Sequence, residues 1–301
     1  MKTERVHLIT KLAYGFGQMA EAVKNTSFEL FLFFYYNQVL GLSGSLVGLA
    51  LLIALCVDGL TDPLIGSLSD GWRSRWGRRH PWMYLAALPM ALSFYLLFSP
   101  PGDSSRELLF AWLVGFAMMV RAAMTFYHVP HMALGAELSD NYAERSSIVG
   151  FRTAFSLLGS ALLVAVGFSV FFKANAGFPN GQLNADAYPR FGLFFALLMS
   201  GVMWASAAGT HRQIPRLYQP SGEKNGFGVR RVFSDVRAVF RTLPFRILFA
   251  ATLLFAVMRG FQSTLSLHAA TYFWELTPDE IQSISLAIIL GLLVGIPLAR
   301  P

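Results

Sequence analysis

Residues 46–70 read LVGLALLIALCVDGLTDPLIGSLSD, and two features of that stretch decide the fold. It is apolar for long enough to cross a bilayer core, which needs about 20 residues of helix. It also carries Asp58 and Asp62 inside the apolar run, where each ionised group costs about 2.5–3.5 kcal/mol on insertion scales. Carboxylates kept at such a depth face protein or a cavity. The stretch therefore predicts a transmembrane helix with one polar face, packed in a bundle.

The rest of the chain agrees. Of its 301 residues 54% are hydrophobic and 14% charged, against roughly 45–50% and about 25% in soluble domains. That deficit of charge excludes a disordered chain and argues against a soluble enzyme. The single cysteine, Cys56, excludes an intrachain disulfide framework and a Cys-based zinc site. Further apolar stretches lie at roughly 12–36, 82–99, 107–133, 147–172, 190–209, 246–273 and 281–300, making eight spans with 46–70. None shows period-two alternation, so these are helices and not barrel strands. The first is no signal peptide, being too long and carrying Glu21, Lys24 and Asn25. The expected fold class is an all-α polytopic membrane protein.

Orientation follows from the loop cations. Lys2, Arg5 and Lys11, then Arg73, Arg75, Arg78 and Arg79, then Arg145, and the many basic residues of 210–245 all fall on one side. Arg106, Lys173 and Arg190 fall on the other. The N-terminus is thus expected in the cytoplasm, with the chain in the cytoplasmic (inner) membrane. The same asymmetry accounts for the net charge of +7 without any nucleic-acid partner. The predicted organisation is a six-helix half at 1–209, a cytoplasmic linker at 210–245 with an amphipathic helix over 229–240, and two further spans at 246–301. Six spans and a cytoplasmic linker are the half-unit of a major facilitator-type bundle, so eight helices of an expected twelve are present.

Asp58 and Asp62 lie four apart, which puts both on one helical face. They repel unless a cation or proton lies between them. Pro63 removes a backbone hydrogen bond and frees the carbonyl of Gly59 beside them. Two readings stay open: an oxygen-rich site for a hard cation such as sodium, or a structural pair salt-bridged to a cation on a neighbouring helix. Other helices supply matching stripes at spacings of three or four: Gln18, Glu21, Asn25 and Glu29 with Lys24; Arg121, Thr125 and His128; Arg152, Ser156 and Ser160; Arg259, Ser263 and Ser266. These either line a polar cavity or neutralise one another as glue between helices. His128, one face with Thr125 and two residues before Pro130, is a candidate proton relay or substrate contact, or a core hydrogen-bonder. The turn Arg73-Ser-Arg75-Trp76-Gly77-Arg78-Arg79-His80, following Gly66 and Asp70, reads either as a charged latch or as a topogenic basic loop.

Several pieces in order resemble the glycoside–pentoside–hexuronide:cation symporters of the major facilitator superfamily, typified by the melibiose carrier. They are Lys11-Leu-Ala-Tyr14-Gly-Phe-Gly17, Tyr35-Tyr36-Asn-Gln-Val-Leu-Gly41, Asp58-x-x-x-Asp62-Pro63-x-x-Gly66, Ser74-Arg75-Trp76-Gly77, Gly135-Ala-Glu137, Glu144-Arg145 and Phe151-Arg152. The resemblance implies coupling-ion ligands at Asp58, Asp62 and Thr125, holding Na+ or H+, with no cofactor beyond that ion. It also implies a substrate pocket bordered by Arg152, with Glu21, Asn25 and His128 as further contacts. The latch would comprise Gly66, Asp70, Arg75, Gly77 and Arg78. Two departures stand out: Ala22, with Glu21 adjacent, and His128 occupy positions that are acidic in the melibiose carrier. The implied partners are a small sugar or glycoside and the surrounding membrane lipid. His128-Val-Pro130 is similar instead to lysophospholipid-carrying relatives, which keeps an amphiphile as the alternative cargo. Asp58-Gly59 with Gly66-x-x-x-Asp70 is superficially similar to the metal helix of CDP-alcohol phosphotransferases. Thr61-Asp62 and Ser74 break that pattern, and an enzyme is not expected.

Overall fold

The computed structural model of the chain describes residues 6–72, 74–102, 104–217, 237 and 239–298. Among them there is no strand, and the long elements are helices: α1 Leu8–Thr26, α2 Gly44–Gly71, α3 His80–Leu97, α4 Arg106–Glu137, α5 Tyr142–Val166, α6 Ala187–His211, α7 Leu243–His268 and α8 Pro278–Leu298. Three of them continue into wider π turns: α1 through Ser27–Leu32 and Tyr35–Val39, α5 through Gly167–Phe171 and α7 through Ala269–Phe273. All three lie at one end of the bundle, and nothing in the sequence pattern anticipated them. Arg73 and the helix expected over 229–240 lie largely outside the described residues.

Among the described residues six helices are long and apolar enough to cross a membrane: α2, α4, α5, α6, α7 and α8, with α5 and α7 counted together with their π turns. The spans expected at 12–36 and 82–99 are helical but fall short of that standard. In α1 the polar residues Lys11, Gln18, Glu21, Lys24 and Asn25 dilute the apolar run, and α3 has 18 residues beginning His80-Pro81-Trp82. At 1.5 Å per residue the 32 residues of α4 reach about 48 Å, so its ends project beyond a core about 30 Å thick.

Local chemistry sets the helix ends. The Ser105 hydroxyl accepts from the Leu108 amide at 3.2 Å to start α4, and Asn141 Oδ1 accepts from Ala143 and Glu144 amides at 2.9 and 3.2 Å to start α5. Gly41, at φ +73°, ends the α1 segment in the left-handed region that a side chain disfavours.

Within the bundle α1 packs on α5 and α6, α3 on α4 and α6, α2 on α4, and α8 on α5. Without a hydrophobic force between helices in lipid, close packing and polar contacts hold them together. Tyr36 donates to Leu97 O at 2.8 Å, Ser200 to Ala87 O at 2.8 Å, Trp112 to Leu96 O at 2.7 Å, and Thr26 to Ser160 Oγ at 2.9 Å. Ser160 is thus a packing contact. The π-turn end is filled by packed rings: Tyr35 stacked on Tyr188 with centroids 4.0 Å apart, and Phe31, Phe172 and Phe191, tilted or edge-on, within 5.3 Å of one another. The α7 side chains are mostly exposed, with Leu267 buried.

Candidate functional site

Counting at 1.5 Å per residue from the helix ends at Leu8, Gly71 and Glu137, the residues Glu21, Asp58, Asp62, Thr125 and His128 all lie about 14–20 Å along their helices. That is the middle of a bilayer-spanning bundle. The α2–α4 contact brings the aspartates to Thr125, whose hydroxyl reaches Asp62 Oδ1 at 2.8 Å and Asp58 Oδ1 at 3.5 Å. The expected trio is therefore assembled, with Thr125 only 5% exposed.

The two carboxylates are not equivalent. Asp58 Oδ2 lies 2.5 Å from Arg121 Nη1, and that guanidinium also sits 5.3 Å from the centre of the Phe28 ring. The salt-bridged reading thus holds for Asp58, while Asp62 meets Thr125. The reason is register: Arg121 and Thr125 are four apart on α4, as Asp58 and Asp62 are on α2, so the two stripes zip together.

A second polar group is built on α1. Glu21 accepts from Gln18 Nε2 and, at 3.3 Å, from Asn25 Nδ2, and its Oε2 lies 3.1 Å from His128 Nδ1 on α4. Lys24, 7% exposed, is within electrostatic reach of Glu21, Asp58, Asp62 and Arg121. It joins the two groups into one cluster on the adjoining faces of α1, α2 and α4. Arg152 comes from α5, with its guanidinium against the Met132 sulfur and near the Tyr14 hydroxyl. It borders the cluster without pairing to its carboxylates. Glu29 and Arg259, aligned by spacing with these stripes, are exposed and stand outside it.

Beside the cluster His131, fully buried, stacks on Tyr14 with centroids 4.3 Å apart, and its Nε2 is 2.9 Å from the Tyr14 carbonyl oxygen. Tyr127 also stacks on His131, with centroids 5.3 Å apart. This stack was not foreseen; the His128-x-x-His131 spacing, one helical face, was the available signal.

At the basic end the turn after α2 forms an ion-pair network. Arg79 Nη2 lies 2.9 Å from Asp70 Oδ1 and 2.6 Å from Glu137 Oε1, and Arg78 also bonds Glu137. Gly77, at φ +73°, makes the turn possible, with the Ile214 side chain 3.2 Å from where a Cβ would stand. Gly66 faces Val129 on α4. Of the expected latch, Asp70 pairs with Arg79, not Arg78, and Arg75 is exposed to solvent. Arg79 belongs to the turn read as a charged latch but was not among the five latch residues, and Glu137 was given no part in it. Nearby, Lys11 pairs with Glu144 at 2.7 Å and ties α1 to α5.

The helical bundle thus holds ionisable groups at mid-depth, and comparison with known proteins gives its family. The sequence profile described as MFS/sugar transport protein matches residues 13–301. The chain belongs to that family and is a multi-pass membrane protein. It is 34% identical over 212 residues to an uncharacterized symporter of Synechocystis sp., covering 68% of this chain and 38% of that protein. It is 27% identical over 156 residues to the putative glycoside/cation symporter YagG of Escherichia coli, covering 52% and 34%. It is 27% identical over 172 residues to the sodium-dependent lysophosphatidylcholine symporter 1 of Gallus gallus, covering 57% and 32%. The matched part thus spans about a third of the length of these curated relatives.

Proposed function

We propose that this chain is part of a symporter that couples a cation gradient to movement of a sugar or glycoside across the cytoplasmic membrane. The observation that carries the reading is the cluster of Glu21, Lys24, Asp58, Asp62, Arg121, Thr125 and His128 at mid-bundle depth. Ionisable groups kept there are costly unless used, and carriers of this architecture place substrate and ion sites at the midplane. Asp62, with Thr125 and Oδ1 of Asp58, takes the coupling cation; Glu21, Asn25, His128 and Arg152 take the substrate hydroxyls. Charging or discharging this cluster shifts the balance between the two access states, so cation and substrate favour the same one. The network of Asp70, Arg78, Arg79 and Glu137 at the turn beside Gly66 and Gly77 is the latch, and it lies in the cytoplasm with the other loop cations. Residues 1–209 form one half of the carrier, 210–245 the linker, and 246–301 the start of the second half.

The test is uptake of radiolabelled glycosides by cells making the full-length protein, with and without a cation gradient. Cation-dependent accumulation is expected, and Asp58→Asn combined with Asp62→Asn is expected to abolish it. Accumulation that survives the double substitution sinks the reading.

An amphiphile cargo is the second reading, favoured by the named lysophosphatidylcholine symporter among the relatives and by His128 beside Glu21. Competition separates the two. A sugar carrier's uptake is blocked by excess glycoside, whereas an amphiphile carrier's is blocked by lysophospholipid alone.

A further inference from the structure

We infer that Arg121 sets the ion selectivity of this site: its guanidinium is a tethered cation at Asp58 that keeps sodium out of the aspartate pair. The inference rests on the symporter reading above and refines it. A sodium ion needs a shell of oxygen ligands, and two aspartates with a threonine hydroxyl would begin one. Here one of those oxygens is taken, because Arg121 Nη1 stands 2.5 Å from Asp58 Oδ2. The guanidinium is held in place as well as charged: the Phe28 ring backs it at 5.3 Å, and its side chain is 17% exposed.

The charges facing the pair point the same way. From α2 come Asp58 and Asp62; from α4, Arg121 and His128; from α1, Glu21 and Lys24; and Arg152 borders from α5. A metal cation entering between the aspartates would meet the guanidinium of Arg121, fixed 2.5 Å from Asp58 Oδ2, and like charges at a shared site disfavour one another.

The experiment is sodium binding to the purified full-length protein, read as melting temperature and tryptophan fluorescence while sodium chloride replaces choline chloride. No substrate is needed. The unmodified protein is expected to be insensitive to sodium, and Arg121→Lys equally so, since the charge remains. Arg121→Gln is expected to gain a saturable sodium-dependent rise in melting temperature, with apparent affinity higher on the order of tenfold or more. Adding Asp62→Asn to Arg121→Gln should remove that gain. Saturable sodium binding to the unmodified protein or to Arg121→Lys overturns the inference, and so does a folded Arg121→Gln that stays insensitive. If Arg121→Gln does not fold, Arg121→Met is measured in its place under the same criteria. The symport reading fails differently, through absence of cation-dependent uptake, so the two results are independent.

Discussion

Arg79 Nη2 lies 2.9 Å from Asp70 Oδ1, joining the last turn of α2 to the residue before α3. The arginine side chain is 6% exposed and the aspartate 57%, so the pair is a buried cation holding a wet carboxylate. The same guanidinium also bonds Glu137 at the end of α4. One side chain thus fastens three helix ends.

Arg79→Ala is expected to destabilise the protein by about 1–3 kcal/mol, since it strips a hydrogen-bonded charge from Glu137. Arg75→Ala, at an exposed position of the same turn, should leave the melting temperature unchanged. Thermal unfolding in detergent of the two variants decides it. Equal effects would mean the turn acts only through its overall charge.

Two glycines of α5 make a matched pair. A Cβ on Gly159 would stand 2.9 Å from the Met19 Cα and carbonyl oxygen of α1, and backbone cannot step aside. Gly159→Ala should therefore cost about 1–3 kcal/mol by overpacking. Gly150 has nothing within 4 Å, and alanine there should stabilise the helix by about 0.5–1 kcal/mol. Opposite shifts of melting temperature are the expected result.

Much of this was legible in the sequence because lipid makes charge conspicuous. Asp58, Asp62, Thr125, Glu21 and His128 stood out as polar residues at helical spacing in apolar runs, and the structure brings them together. Spacing assigns a residue to a face but not that face to a neighbour. Glu29 and Arg259 share the periodicity yet turn outward. Choosing Arg79 over Arg78 as the partner of Asp70 depends on how Gly77 turns the chain, which composition does not encode. The π turns at 27–39, 167–171 and 269–273 likewise leave the apolar pattern intact. The His131–Tyr14 stack is a contact between α4 and α1 that only packing defines.

The Asp58–Arg121 pair should behave as a coupled unit. Asp58→Asn alone leaves the buried guanidinium without its counter-charge, and Arg121→Gln alone leaves the carboxylate. Each is expected to lower the melting temperature, while the double substitution recovers part of the loss. A coupling energy of about 0.5–3 kcal/mol in the double-mutant cycle is expected. Additive losses would show that the 2.5 Å contact is incidental to stability.

Orientation can be read by labelling single cysteines. Cys56 is exposed on α2, so Cys56→Ser provides the background in the full-length protein. Arg75 and Tyr142 are exposed at the end carrying the basic turn, and Phe178 is exposed beyond the π turn of α5 at the other. The positive-inside rule puts the basic end in the cytoplasm. In intact cells a membrane-impermeant maleimide should label Phe178→Cys and should reach Arg75→Cys and Tyr142→Cys only after permeabilisation. The reverse pattern would invert the topology and place the Arg79–Asp70 network on the outer surface. The latch would then have to close the entrance, where the proposal has it close the exit.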